Sequence, residues 1–185
     1  MARHIYACPM RWSDMDAFGH VNNVVFLRYL EEARIDFMFH RAAEAGAGEF
    51  AGGSVVARHE IDYKRPLTHR AAPVTVETWV TQIGGASLTV AYEIKDVAED
   101  GAETVYVKAS TVVVPYNLAE GRPRRISAVE REFLSRYTDD ADQGDSADST
   151  GSAGDARQVR AGERVPAGRG VQGEAAGTAR AVAAV

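Results

Sequence analysis

Between Ser13 and Asn23 the chain reads S-D-M-D-A-F-G-H-V-N-N, which sets two carboxylates, an imidazole and two carboxamides on one short stretch. A carboxylate in such a place has two uses at a carbonyl carbon. It can take a proton from an attacking water, or it can attack the carbon itself. Asn22 or Asn23 suits the N-cap of a following helix, because its amide oxygen accepts from the free N–H groups of the first turn. Those groups carry partial positive charge and favour an anion or a developing oxyanion beside them. The backbone N–H of Asn23 is the candidate donor, and a preorganised donor of this kind contributes about 3–4 kcal/mol in a transition state. Asn22 is then the cap. His20 could orient a water, contact a carbonyl, or bond the loop backbone. Asp14 is expected to bond loop amides, the usual work of an Asp in a turn. Taking Asp14, Asp16 and His20 as a metal site is disfavoured, since no second His or Cys stands at a recognised ligand spacing.

The elements that must position this loop follow from periodicity. Phe26, Leu30, Ala33 and Phe37 repeat at spacings of four, three and four, which predicts a helix from about Asn23 to about Ala45, ended by Gly46. Arg28 with Glu32, and Glu31 with Arg34, are expected as ion pairs on its polar side. Glu31 and Glu32 could also help place a water at a neighbouring subunit's site, although a solvated face is the plainer expectation. Upstream, residues 4–12 alternate weakly and suggest a first strand. Gly19 marks a turn in the loop, where a residue with a side chain would resist the backbone angle.

Downstream the period changes to two. Ala57, His59, Ile61 and Tyr63 share one face of a strand, and Pro66 and Pro73 bracket a break. A strand through Val74, Val76 and Val80 ends at Gly84-Gly85, a hairpin signal. Leu88, Val90, Tyr92 and Ile94 alternate cleanly, Asp100-Gly101 signals a second hairpin, and residues 105–114 form a long last strand. Ser127 with Glu130 is a capping box opening a short helix. One strand, one long helix, then four strands joined mainly by hairpins is an α+β order, with an antiparallel sheet whose apolar face needs a cover. The βαβ alternation of a doubly wound nucleotide-binding fold is missing.

Composition narrows the function. The chain has 185 residues and a formal net charge of −5, without a basic stripe interleaved with aromatics, so nucleic acid is not an expected partner. Cys8 is the sole cysteine, which excludes an intrachain disulfide and a multi-cysteine zinc site. The first residues lack the apolar core of a signal peptide, and no run reaches membrane-spanning length, so the cytoplasm is the expected compartment. After Tyr137 the chain holds no aromatic residue and no Leu, Ile, Met or Lys. Residues 138–185 are therefore expected to be a disordered tail, and residues 1–137 the folded domain.

The motif D-x-D-x-x-G-H-V-N-N followed by an apolar helix resembles the hotdog-fold acyl-CoA thioesterases. That group includes 4-hydroxybenzoyl-CoA thioesterase and is related to the plant acyl-ACP thioesterases. The similarity runs from about Tyr6 to about Tyr137. It implies an antiparallel sheet wrapped around one long central helix, and a homodimer or homotetramer with sites at the subunit boundary. It also implies hydrolysis of an acyl-CoA to free acid and coenzyme A, with no metal or redox cofactor. Asp16 is the expected catalytic carboxylate, because the second Asp of the motif is the one the family uses.

A coenzyme A substrate brings phosphates, for which Lys64 and Arg65 with His69 and Arg70, or Arg122 with Arg124 and Arg125, are candidates. Trp79, Phe18 and Tyr63 could line an acyl pocket, although large aromatics are core by default. Two rivals remain open: a hotdog hydratase or dehydratase, and a non-catalytic acyl-CoA binding or sensing protein on the same scaffold.

Overall fold

The computed structural model describes residues 2–138. The expected tail falls almost entirely outside them. Strand β1 (His4–Cys8) is shorter than the alternation suggests: Pro9 follows it, and a 3-10 turn at Trp12–Asp14 takes the place of its predicted end. Proline removes a ladder donor, so pairing stops there.

Helix α1 (Asn23–Ile35) continues without a break through a π-helical turn (Asp36–Arg41) into α2 (Ala42–Glu44), matching the predicted length. The π turn is where the Ala42 N–H reaches back five residues to the Phe37 carbonyl. Strands β2 (Ser54–Tyr63), β3 (Val74–Ile83), β4 (Leu88–Val97) and β5 (Glu103–Asn117) follow, with a two-residue β6 (Arg122–Pro123) on the end of β5 and α3 (Ala128–Ser135) last.

The strand order is β1-β3-β4-β5-β2, antiparallel throughout. Both predicted hairpins form. Gly84 N–H donates to Ser87 C=O at 2.8 Å between β3 and β4. Ala98 N–H donates to Ala102 C=O at 2.9 Å between β4 and β5, where Gly101 takes φ +82°. The sheet curls as a half-barrel around the helix. Phe26, Leu30, Ala33 and Phe37 are all buried against Val74, Val76 and Val80 of β3 and Val90, Tyr92 and Ile94 of β4. At about 1.5–3 kcal/mol for each large side chain, this interface is the main anchor of the helix. Phe133 of α3 closes the far end, its ring centroid 5.2 Å from that of Phe37.

Strand β2 pairs with β5 on one side and forms the edge of the sheet, and residues 57–60 are exposed along it. Neither expected ion pair of the long helix forms among the described residues: the pairs present along it are His40 with Asp36 and Arg41 with Glu44, and Arg28 makes none with Glu32. Arg34 is 8 % exposed and faces the interior beside Tyr92 instead of pairing with Glu31 at the surface. Counting along the helix places it on the polar side, but the sheet curls far enough round the helix to cover it.

Candidate active site

Backbone bonds frame the Asp loop. Val21 N–H donates to the Leu67 carbonyl at 2.7 Å, which ties the loop to the proline-bracketed break between β2 and β3. Asn22 N–H donates to Asp14 C=O at 2.9 Å, and Asp16 N–H to His20 C=O at 2.8 Å. Gly19 completes the turn with φ +77°, the angle its lack of a side chain allows.

The two carboxylates of the motif have different surroundings. Asp14 is buried, and its Oδ2 accepts from the Tyr29 hydroxyl and from Arg11 N–H, each at 2.7 Å. Burial first, and then the Asp14 hydrogen bond and charge, push the Tyr29 phenol above its usual range. Asp14 is thus a structural strut, as its turn position suggests. Asp16 is half-buried. Its Oδ1 accepts from Phe18 N–H at 2.8 Å and His20 N–H at 3.3 Å, while Oδ2 makes no hydrogen bond to a described residue.

Asn22 is the N-cap of α1, with its Oδ1 accepting from Val24 N–H at 3.0 Å. Val25 N–H donates to Asn22 C=O at 2.9 Å. Of the donors at this helix start, the Asn23 N–H has no acceptor among the described residues. A cavity of about 330 Å³ opens here, lined by Asp16, Val21, Asn23, Phe26, Tyr63, Lys64, Arg65 and Pro66. One carboxylate, one uncommitted helix-start donor, an aromatic wall and two cations share it. A carboxylate and a donor facing one space are the two groups that water attack on a carbonyl requires.

The remaining candidates lie outside the cavity or already have partners. His20 does not line the cavity, and its backbone serves the loop. Arg70 also lies outside it, in an ion pair with Asp96, whose other oxygen accepts from Tyr106 at 2.6 Å. Lys64 contacts Asp62 at 3.1 Å, and Arg65 donates to the Val105 carbonyl at 3.3 Å. Arg124 is committed to Glu130. Phe18 is exposed at the loop tip. Trp79 does not line the cavity and instead stacks under Arg3 at 3.7 Å. Among the described residues no group of three or more His, Cys, Asp or Glu is placed to hold a metal ion.

Sequence reading named Tyr63 only as a possible wall. The bond from its hydroxyl to the Asn23 carbonyl, at 2.9 Å, spans forty residues and has no local signal. Behind the loop, Cys8 is 2 % exposed, and burial, aided by the Glu32 and Asp14 charges, pushes its thiol up to about 12.

Fold and loop together define a class, and the comparisons agree with it. The model of the thioesterase-like superfamily matches residues 10–136, and the chain belongs to that family. Among solved structures, a predicted thioesterase from Bacillus stearothermophilus is 28 % identical, with TM-score 0.62, covering 74 % of this chain and 97 % of that one. A thioesterase from Thermus thermophilus, solved with coenzyme A and Zn, is 32 % identical with TM-score 0.58, covering 72 % and 92 %. An Asp-to-Asn mutant of 4-hydroxybenzoyl CoA thioesterase, complexed with 4-hydroxybenzoyl CoA, shares the fold at TM-score 0.61 and 15 % identity, covering 71 % and 98 %. No match is found among curated proteins. No helix among the described residues is long and apolar enough to cross a membrane.

Proposed function

We propose that this member of the thioesterase-like superfamily hydrolyses acyl-CoA thioesters to the free acid and coenzyme A, with Asp16 as the reacting carboxylate. The observation that carries this is the shared cavity. Asp16, with Oδ2 uncommitted, and Asn23, with its N–H uncommitted, both line it. Water attacks the thioester carbonyl carbon and gives its proton to Asp16, while the carbonyl oxygen gains charge beside the Asn23 N–H. The tetrahedral intermediate collapses, the C–S bond breaks, and the sulfur leaves with the proton held by Asp16. In the alternative course Asp16 attacks the carbonyl carbon, and the C–S bond breaks to expel coenzyme A as its thiolate. Water then cleaves the mixed anhydride, freeing the acid and Asp16 and releasing a proton that the thiolate takes up. Neither course needs a redox cofactor, and coenzyme A enters as part of the substrate.

Lys64 and Arg65, on the same cavity, are proposed to meet the coenzyme A phosphates, an assignment supported by their placement and by the coenzyme A in the Thermus relative. Arg70 is the weaker member of that set because it lies outside the cavity, turned to Asp96. The open edge of β2 is proposed to pair with its copy across a two-fold axis, giving a homodimer with one continuous sheet. The compartment proposed is the cytoplasm, in keeping with a single cysteine.

One observation favours the rival binding or sensing reading: Asp16 Oδ1 already holds two loop amides, a purely structural use. Thiol release from short, medium, long and aromatic acyl-CoAs, by the native protein and Asp16→Asn, separates the two. Asparagine keeps an oxygen for both amides, so the loop survives while the charge is lost. Collapse of turnover with binding intact supports hydrolysis. Binding by the native protein without thiol release selects the sensor, and equal rates in both proteins make Asp16 structural.

A further inference from the structure

The first turn of α1 is held from two directions at a single peptide plane. The plane between Asn23 and Val24 has its N–H fixed by Asn22 Oδ1 at 3.0 Å and its carbonyl fixed by the Tyr63 hydroxyl at 2.9 Å. Tyr63 comes from the last residue of β2, so this second bond ties sheet to helix directly beside the uncommitted Asn23 N–H. Its ring stands edge-on to Phe26, with centroids 5.8 Å apart and planes at 64°. Burial does not account for this placement, since Tyr63 is 46 % exposed. Beyond the strand pairing of its backbone, the Tyr63 side chain is held by one ring contact and one hydroxyl bond, and the bond is spent on a carbonyl that the helix ladder already uses. A carbonyl oxygen has a second lone pair for such a donor.

We infer that Tyr63 is a positioning residue. Its hydroxyl clamps the Asn23–Val24 peptide so that the neighbouring Asn23 N–H is already in place when charge develops on the thioester oxygen. This rests on the hydrolysis reading above and extends it to a residue that touches neither the proton nor the nucleophile. Preorganisation is what makes such a donor effective, because a donor that must reorient during the reaction loses most of its advantage.

The test compares native protein with Tyr63→Phe, which keeps the ring against Phe26 and removes the hydroxyl. The expected result is a kcat lower by about tenfold, KM within about twofold, and melting temperature within about 2 °C of native. In the same sample, amide hydrogen exchange at Val24 and Val25 should quicken relative to the rest of α1. An unchanged kcat in the active enzyme overturns the inference. So does a lower kcat accompanied by an equal loss of folded protein, which would make Tyr63 structural only. If native protein releases no thiol, the hydrolysis reading fails by itself, and exchange decides the clamp: faster exchange at Val24 and Val25 upholds it, and unchanged exchange overturns it.

Discussion

The starts of α1 and α3 solve the same problem with opposite results. At α3, Ser127 Oγ accepts from Glu130 N–H at 3.3 Å, and Glu130 Oε2 accepts from Ser127 N–H at 2.8 Å. Glu130 is fully buried, and Arg124 grips both of its oxygens, at 2.8 and 2.6 Å. Burial works to raise the Glu130 carboxyl, but Arg124 and the Ser127 bonds outweigh it and hold the group below the usual carboxylate range. Charge and cap are both matched within the chain there. At α1, Asn22 is a neutral cap that closes one donor, the carbonyl behind it closes another, and the Asn23 N–H stays open on a cavity. A completed cap stabilises a fold; an incomplete one leaves a donor for something else.

That contrast can be broken at either end. The largest effect is expected at the closed start. Arg124→Ala leaves a buried carboxylate without its cation and should cost about 3–5 kcal/mol of stability, read by denaturant unfolding. Acid tests the same box. Because the folded Glu130 carboxyl is depressed, its contribution is present above the unfolded value of 4.5 and is lost as pH falls through the lower folded value. Melting curves from pH 7 to pH 3 should therefore show a steeper loss in the native protein than in Glu130→Gln.

At the open start Asn22→Ala should cost about 1 kcal/mol of stability, with thiol release falling further than that loss of folded protein explains. Asn22→Asp sharpens the comparison by pulling the two readouts apart. The added charge at a helix N-terminus should stabilise by about 0.3–1 kcal/mol, yet slow turnover by opposing charge on the substrate oxygen. Smallest is Lys64→Ala, expected to raise KM for acyl-CoA by a few fold with kcat unchanged, an exposed cation being worth about 1 kcal/mol or less.

What the sequence discloses here is what sits close together along the chain. The buried face of α1, the Asn22 cap, the Ser127–Glu130 box, Gly19 and both hairpins depend on residues a few positions apart, and each appears as read. Asp16 and Asn23 are near neighbours as well, so their meeting at one cavity is foreseeable. Arg28 and Glu32, four residues apart, do not pair as read, but the other misreadings are long-range. Arg34 looks like a surface residue until the curl of the sheet covers it. Arg70 looks like a free cation until Asp96, on a strand two elements later, takes it. Trp79 looks like a pocket wall until the strand's alternation sends its ring away from the cavity. Tyr63 reaches Asn23 only because β2 lies at the sheet edge beside the helix start, and no local pattern encodes the partner of an edge strand.

The burial of Cys8 turns the chain into its own clean background. With a single thiol that is covered and still protonated at pH 8, a disulfide-exchange reagent finds almost no thiolate on the folded protein. Colour in a coupled assay is then product, mole for mole, even at enzyme concentrations high enough to catch a slow variant in one turnover. Without substrate the same reagent becomes a stopwatch. The rate at which Cys8 is labelled counts how often β1 and the Asp loop lift off the core, so one dye reads both the chemistry of the site and the breathing of the strand beneath it.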